Sequence, residues 1–314
     1  MWTKAVERLR DAVTDAAWRQ WRALGAPATD GGRAHALVDP EALLLLSLYL
    51  EERERRLARF VAWWAESGAT MLSVQRTRNL LRTYDTAELK DRVAAFALLA
   101  WKKGNDARWR SLAGKALYPA ARHKDSRAVP RVTDPAALML RLRVGIGVGI
   151  KADLLAFLLG QHGSRETVKD IAAATYYNSR AVRRAVDEMA SARLVRSWGT
   201  APATYSADVD AWSALLALGK GRPVWRHWHP VYCFTAGLLD WSSATATVQA
   251  TPYLQSSRAR DLVRQHTNAF ELTGILLPAE TDYVGEAYLE PFGQAIERMA
   301  AWVGERSEEF ARKK

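Results

Sequence analysis

A mainly α protein is what the sequence predicts: a central unit of three helices plus a β-hairpin, flanked by N- and C-terminal helical domains. Apolar residues recur at spacings of three and four through most of the chain, the period of a helix with one buried face. Only the stretch from Leu194 to Ser206 alternates with period two around a glycine-containing turn, the pattern of a hairpin. At 314 residues the chain exceeds the usual size of a single core, so several domains are expected. The punctuation divides it into an N-terminal helical domain at 1–117, a basic linker and connecting helix at 118–150, the central unit at 151–208, and a C-terminal helical domain at 209–314 for dimerisation or regulation.

The first helix is expected from Trp2 to Leu24, followed by a Gly/Pro/Asp-rich loop over Gly25 to Pro40. A long helix then runs from Glu41 to Glu66, with Pro40 in the first turn and Gly68 past the end. Shorter helical patterns follow at Thr70 to Thr83, Thr86 to Lys103 and Arg108 to Leu117. Tyr118 to Pro135, with three prolines and many charges, reads as a linker. A new helical pattern starts at Pro135 and breaks at Gly145, Gly147 and Gly149. With no Gly-Lys-Ser/Thr after them and no strand before, these glycines form a flexible or tightly packed bend rather than a phosphate loop. Beyond the central unit, Trp212 to Leu218 is a short helix and Gly219 to Pro223 a second linker. Val231 to Trp241, Ser257 to Gly274 and Val284 to Phe310 are helical.

Within the central unit the first helix, Lys151 to Gln161, places Leu154, Leu155, Leu158 and Leu159 on one face and stops at Gly163. A second, capped by Thr167, buries Val168, Ile171 and Ala172. It gives out at Tyr176-Tyr177-Asn178-Ser179, where Asn178 or Ser179 caps a third helix running to about Ala192. Val182, Val186 and Met189 face inward, leaving Arg180, Arg183, Arg184 and Asp187 outward. Leu194 to Trp198 is a strand, Gly199 to Pro202 a turn, and Thr204 to Ser206 the returning strand before Asp208.

Residues Val168 to Asp208, VKDIAAATYYNSRAVRRAVDEMASARLVRSWGTAPATYSAD, resemble the winged helix-turn-helix superfamily of bacterial transcriptional regulators, of the kind found in MarR-like and ArsR-like proteins. The likeness covers about sixty residues, 151–208, and is one of spacing. It implies a sequence-specific double-stranded DNA-binding regulator, a repressor that occupies a promoter. Helix 179–192 would read the major groove and the wing 194–208 would touch the backbone or minor groove. By position it places Ser179, Arg180, Arg183 and Arg184 in or beside the major groove, and Arg196, Trp198 and Thr200 on the wing. A homodimer is expected, because paired reading helices engage two half-sites. Two alternatives stay open: a winged-helix protein-interaction module or autoregulating antitoxin of a two-gene system, and an enzyme with an appended nucleic-acid-binding domain.

The formal charge of +11 favours a polyanionic partner, and its distribution is uneven. Residues 101–151 hold 12 basic and 3 acidic side chains, whereas 151–208 are close to neutral with 8 and 6. The basic stretch, from Lys102 through Lys115, Arg122, Lys124, Arg127, Arg131, Arg141 and Arg143 to Lys151, is therefore expected to supply backbone attraction. Trp225 to Cys233, with His227 and His229, lacks a second ligand pair at metal spacing and reads as an aromatic packing patch. No nucleophile elbow, His-Glu-x-x-His or Walker A pattern occurs, so no enzyme, cofactor or metal is expected, and no motif points to an effector. The single Cys233 and the polar N-terminus predict a cytoplasmic protein. The longest apolar run, Ala42 to Leu50, is interrupted by Ser47 and is too short to span a bilayer.

Overall fold

Polar residues ahead of apolar runs start most of the helices, and the side-chain oxygens of Asp39, Ser73, Thr167, Asn178, Asp208 and Thr251 each accept an early amide of the helix that follows. The computed structural model describes residues 2–27, 32–84, 86–114, 129–218, 222–279 and 281–304. Its helices are α1 (Trp2–Ala23), α2 (Pro40–Leu50), α3 (Arg55–Ser67), α4 (Val74–Leu81), α5 (Ala87–Lys102), α6 (Arg110–Ala113), α7 (Leu138–Ile146) and α8 (Ile150–Gly160), then α9 (Val168–Thr175), α10 (Ser179–Ser191) and α11 (Val209–Leu215). The last are α12 (Trp228–Ser243), α13 (Thr245–Val248), α14 (Pro252–Gln265), α15 (Thr267–Glu271) and α16 (Leu289–Gly304). Three short strands, β1 (Glu166–Thr167), β2 (Arg196–Trp198) and β3 (Thr204–Ser206), form one antiparallel sheet in the order β1-β3-β2. The protein is mainly α. Among the described residues no helix is long and apolar enough to cross a membrane.

Two compact units result. One comprises Met1–Trp18, Thr83–Asp85 and His227–Lys314; the other comprises Arg19–Arg82 and Thr86–Arg226. The second holds α2 to α11 and a core in which Leu138, Met139 and Leu142 of α7 meet the apolar residues of α8, Ile171 of α9, and Val182, Val186 and Met189 of α10. In the first, Trp2 packs on Trp241 with ring centroids 4.8 Å apart, Trp228 on Tyr232 and Trp302, and Phe234 on Phe270. Of the aromatic patch expected over Trp225 to Cys233, Trp228, His229 and Tyr232 pack on aromatic rings here, Tyr84 lying 5.6 Å from His229, whereas Trp225 packs on Phe157 within the second unit.

Several expected boundaries move. The helix expected over Glu41 to Glu66 is two, because Arg92 donates to the carbonyls of Leu48 and Tyr49, and Glu54 accepts from Arg56 N–H to open α3. Ser73 delays the helix expected from Thr70, and Asp208 starts α11 three residues before Trp212. Thr251 and Pro252 begin α14 ahead of Ser257, and the pattern expected to run on to Gly274 breaks at His266 into α14 and α15. A 3₁₀ turn replaces the start of the last helix. The helix expected from Arg108 is helical only to Ala113 among described residues. The strand β1 was not expected; two residues are too short to display a period. α8 is buried around its whole circumference rather than along one leucine face. At the glycine bend no atom lies within 4 Å of where a Cβ would stand at Gly145, Gly147 or Gly149. The bend is thus open rather than tightly packed, and Gly147 meets a backbone need with φ of +109°. Residues 118–128 of the expected linker, 219–221 of the second linker and the helix end beyond 304 lie outside the described residues.

Candidate nucleic-acid interface

Local chemistry sets the two helices at the centre of the site. Thr167 and Asp170 form a reciprocal capping box at the start of α9. Tyr176 ends that helix in the left-handed region at φ +60°, and Asn178 caps α10 two residues later through a 2.8 Å bond from Ala181 N–H. Val182, Ala185, Val186 and Met189 are buried, so the opposite face of α10 turns to solvent. Arg193 adopts φ of +58°, and Leu194 N–H returns to the Met189 carbonyl, closing the helix before the hairpin. In that hairpin Arg196, Ser197 and Trp198 pair with Ser206, Tyr205 and Thr204, while Thr167 and Glu166 flank the other side of β3.

All seven residues expected at the interface are exposed: Ser179, Arg180, Arg183 and Arg184 on α10, and Arg196, Trp198 and Thr200 on the hairpin. Their surroundings differ. Arg180 and Arg183 have no ion-pair partner among the described residues. Arg184 bonds Glu188 at 2.9 Å, and Lys151 reaches the same carboxylate at 2.8 Å; these bonds hold Glu188 below the ordinary carboxylate range. Arg196 pairs with Asp208 at 2.5 Å. Asp187 is exposed as expected and also accepts the Tyr205 hydroxyl at 2.7 Å, which ties the hairpin to α10. Burial, then this carboxylate, raises the Tyr205 phenol above its ordinary value.

Sequence reasoning missed two features. Arg165 stacks its guanidinium 3.9 Å from the Trp198 ring, whose indole N–H bonds Ser206 Oγ at 3.2 Å. The second is a buried ion network. The Arg76 guanidinium contacts both Asp39 oxygens at 2.5 and 2.6 Å and Glu41 at 2.7 Å; Arg143 contacts Glu41 at 2.6 Å and Asp153 at 2.7 Å. Burial disfavours both guanidinium charges, but the carboxylates outweigh it, and both arginines hold their protons more tightly than usual. Arg143 therefore belongs to the core and not to the basic surface expected over 101–151; Lys115, Arg122, Lys124 and Arg127 of that stretch lie outside the described residues.

This network grips the turn between α9 and α10. Arg76 Nε donates to the Thr175 carbonyl at 3.0 Å, and Asn79 Nδ2 to the Tyr176 carbonyl at 2.8 Å. Tyr177 donates its hydroxyl to Asp153 at 2.9 Å and lies 3.3 Å from Ser73 Oγ. Burial and the Asp153 charge push the Tyr177 phenol upward.

Elsewhere, His229 Nε2 lies 2.8 Å from Thr83 Oγ1 and 3.6 Å from the buried Cys233 thiol, and among the described residues no group of three or more His, Cys, Asp and Glu is placed to hold a metal ion. A wide cleft of about 790 Å³ is bordered by Trp2, Gln255, Tyr283, Glu286 and Glu290. Comparison with known proteins finds no matching family model, no matching curated protein and no matching solved structure.

Proposed function

We propose that residues 151–208 form a winged helix-turn-helix that binds double-stranded DNA sequence-specifically, and that the protein is a cytoplasmic transcriptional regulator, a repressor acting as a homodimer. The observation that carries the reading is α10: a capped helix whose exposed N-terminal half offers Ser179, Arg180 and Arg183, with two guanidiniums committed to no carboxylate among the described residues. An arginine near the start of a groove-inserted helix bonds guanine O6 and N7 bidentately, which distinguishes base pairs. The order helix, strand, helix, helix, hairpin, with β3 between β1 and β2, supports the wing. On it Trp198 and Thr200 are exposed toward a sugar-phosphate backbone, Arg196 would exchange its Asp208 partner for a phosphate, and Arg165 joins them through its stack on Trp198.

The test is binding of the purified protein to its own upstream DNA against a scrambled duplex at two salt concentrations. Preference that survives higher salt is expected. Arg180→Ala and Arg183→Ala each cost about 1–3 kcal/mol of discrimination if they bond bases; Arg184→Ala, already engaged by Glu188, costs less. Equal, salt-labile binding to both duplexes overturns sequence-specific reading.

A second reading rests on the groove of about 290 Å³ beside the hairpin, where Leu194 and the 74% exposed Leu215 flank Trp212. Such a groove fits an apolar segment of a partner protein. Loss of partner capture on Leu215→Glu with DNA binding intact would favour it.

A further inference from the structure

α4 borders the turn that launches α10, and it carries two arginines toward its end, the half-exposed Arg78 and, at the C-cap, the exposed Arg82. Gln75, Asn79 and Arg82 recur at spacings of four and three, so they share one face, and Gln75 bonds Asn79 at 2.9 Å. Asn79 is the residue that bonds the Tyr176 carbonyl, which places this face beside the start of α10. One position back, Arg78 donates to Ser111 on α6, next to Arg110, whose guanidinium lies over the Trp101 ring at 5.4 Å. Among the described residues Arg78, Arg82 and Arg110 have no ion-pair partner. Three cations without an ionic partner on α4 and α6, which the Arg78–Ser111 bond joins, form a positively charged ridge of the kind that attracts a polyanion.

We propose that the α4–α6 ridge is a second DNA-contacting surface, which binds backbone phosphates of the duplex flanking the stretch read by α10. The inference rests on the proposed function. When α10 enters a major groove, the phosphates of both strands line that groove's walls, so cations displaced sideways from the helix start meet backbone and not base edges. Contact there adds affinity without sequence preference. Because α4 is bonded to the turn by Arg76, Asn79 and Ser73, the ridge arrives already oriented when α10 docks. This also accounts for how a near-neutral winged unit could hold DNA: the charge it lacks is supplied by the helix bolted to it.

The experiment uses the full chain and two duplexes of its own upstream sequence, a long one of about four helical turns and a short one of about two, centred on the preferred site. Wild-type protein is expected to bind the long duplex more tightly. Arg78→Ala, Arg82→Ala and Arg110→Ala combined should abolish that advantage, leave the preference over a scrambled duplex unchanged, and flatten the dependence of log affinity on log salt by about 1 for each lost phosphate contact. The triple lysine variant, which keeps the charge, should restore the slope. An unchanged slope and length dependence in the triple alanine variant, with Arg180→Ala and Arg183→Ala still abolishing preference, overturns the ridge alone. If wild-type protein shows no preference on either duplex, the proposed function itself falls.

Discussion

Arg76 and Arg143 carry full charges where no solvent reaches them, and the geometry makes that tolerable: every guanidinium nitrogen of both donates to a carboxylate oxygen or a backbone carbonyl. Removing one partner leaves the others buried and uncompensated. Arg143→Met is therefore expected to lower stability by about 3–5 kcal/mol, read as a reduced urea midpoint; a loss below about 1 kcal/mol would mean that water enters the network. Cys233 is a different buried group. Burial pushes its thiol up to about 12, opposed only by bonds from Thr83 and Tyr84. It should resist alkylation at pH 8 in the native protein and react once the chain is unfolded. Because the folded value is raised, its contribution to stability is fully present below the ordinary value of 9.0 and is lost as pH rises through about 12. Glu41 and Asp153 are each the one carboxylate of a largely apolar helix, but that alone did not make the buried ion network legible. Their partners were hidden, since Arg143 is 102 residues from Glu41 and sits in a stretch whose charge pointed to solvent.

Helices announced themselves through caps and period, and the sheet through alternation, because both signals are local. Breaks imposed from a distance were hidden: nothing in the sequence of α2 shows that Arg92 will take its last carbonyls. The start of α10 depends on a single acceptor, so Asn178→Ala should cost about 1 kcal/mol and speed amide exchange in the first turn of that helix; unchanged exchange would assign the helix start to the grip of α4. Close approach gives a second prediction at this scale. A Cβ at Gly160 would stand 2.8 Å from Leu37 Cδ1 and from the backbone nitrogen of Trp225, which donates to the Gly160 carbonyl. Gly160→Ala is expected to destabilise by about 1–3 kcal/mol in thermal unfolding, because backbone cannot step aside as a side chain can. The seven expected residues are all exposed, Arg180, Arg183 and Arg184 on the face that the helical period turned outward, the other four named only through the winged-helix resemblance. Arg165 was invisible, since its role depends on a ring thirty-three positions away.

Sequence order and spatial grouping diverge at the scale of the molecule. The first eighteen residues belong with the C-terminal segment, and linear reading cannot reveal this because no local pattern records it. Trp2 packs on Trp241 and lies against Gly293 of α16, and Arg8 bonds Glu297 at 2.9 Å. Trp2→Ala should weaken that unit by about 1–3 kcal/mol, with faster amide exchange in α12 and α16 and none in α8 to α10. Exchange rising equally in α8 to α10 would show one cooperative fold.

The hold that α4 keeps on the turn is made largely on the carbonyls of Thr175 and Tyr176, and a carbonyl is possessed by every amino acid. The outward residues of α10 take no part in it. Under the proposed function, the outward residues of α10 can therefore be exchanged one by one, changing what the helix reads, without loosening the mount that carries it.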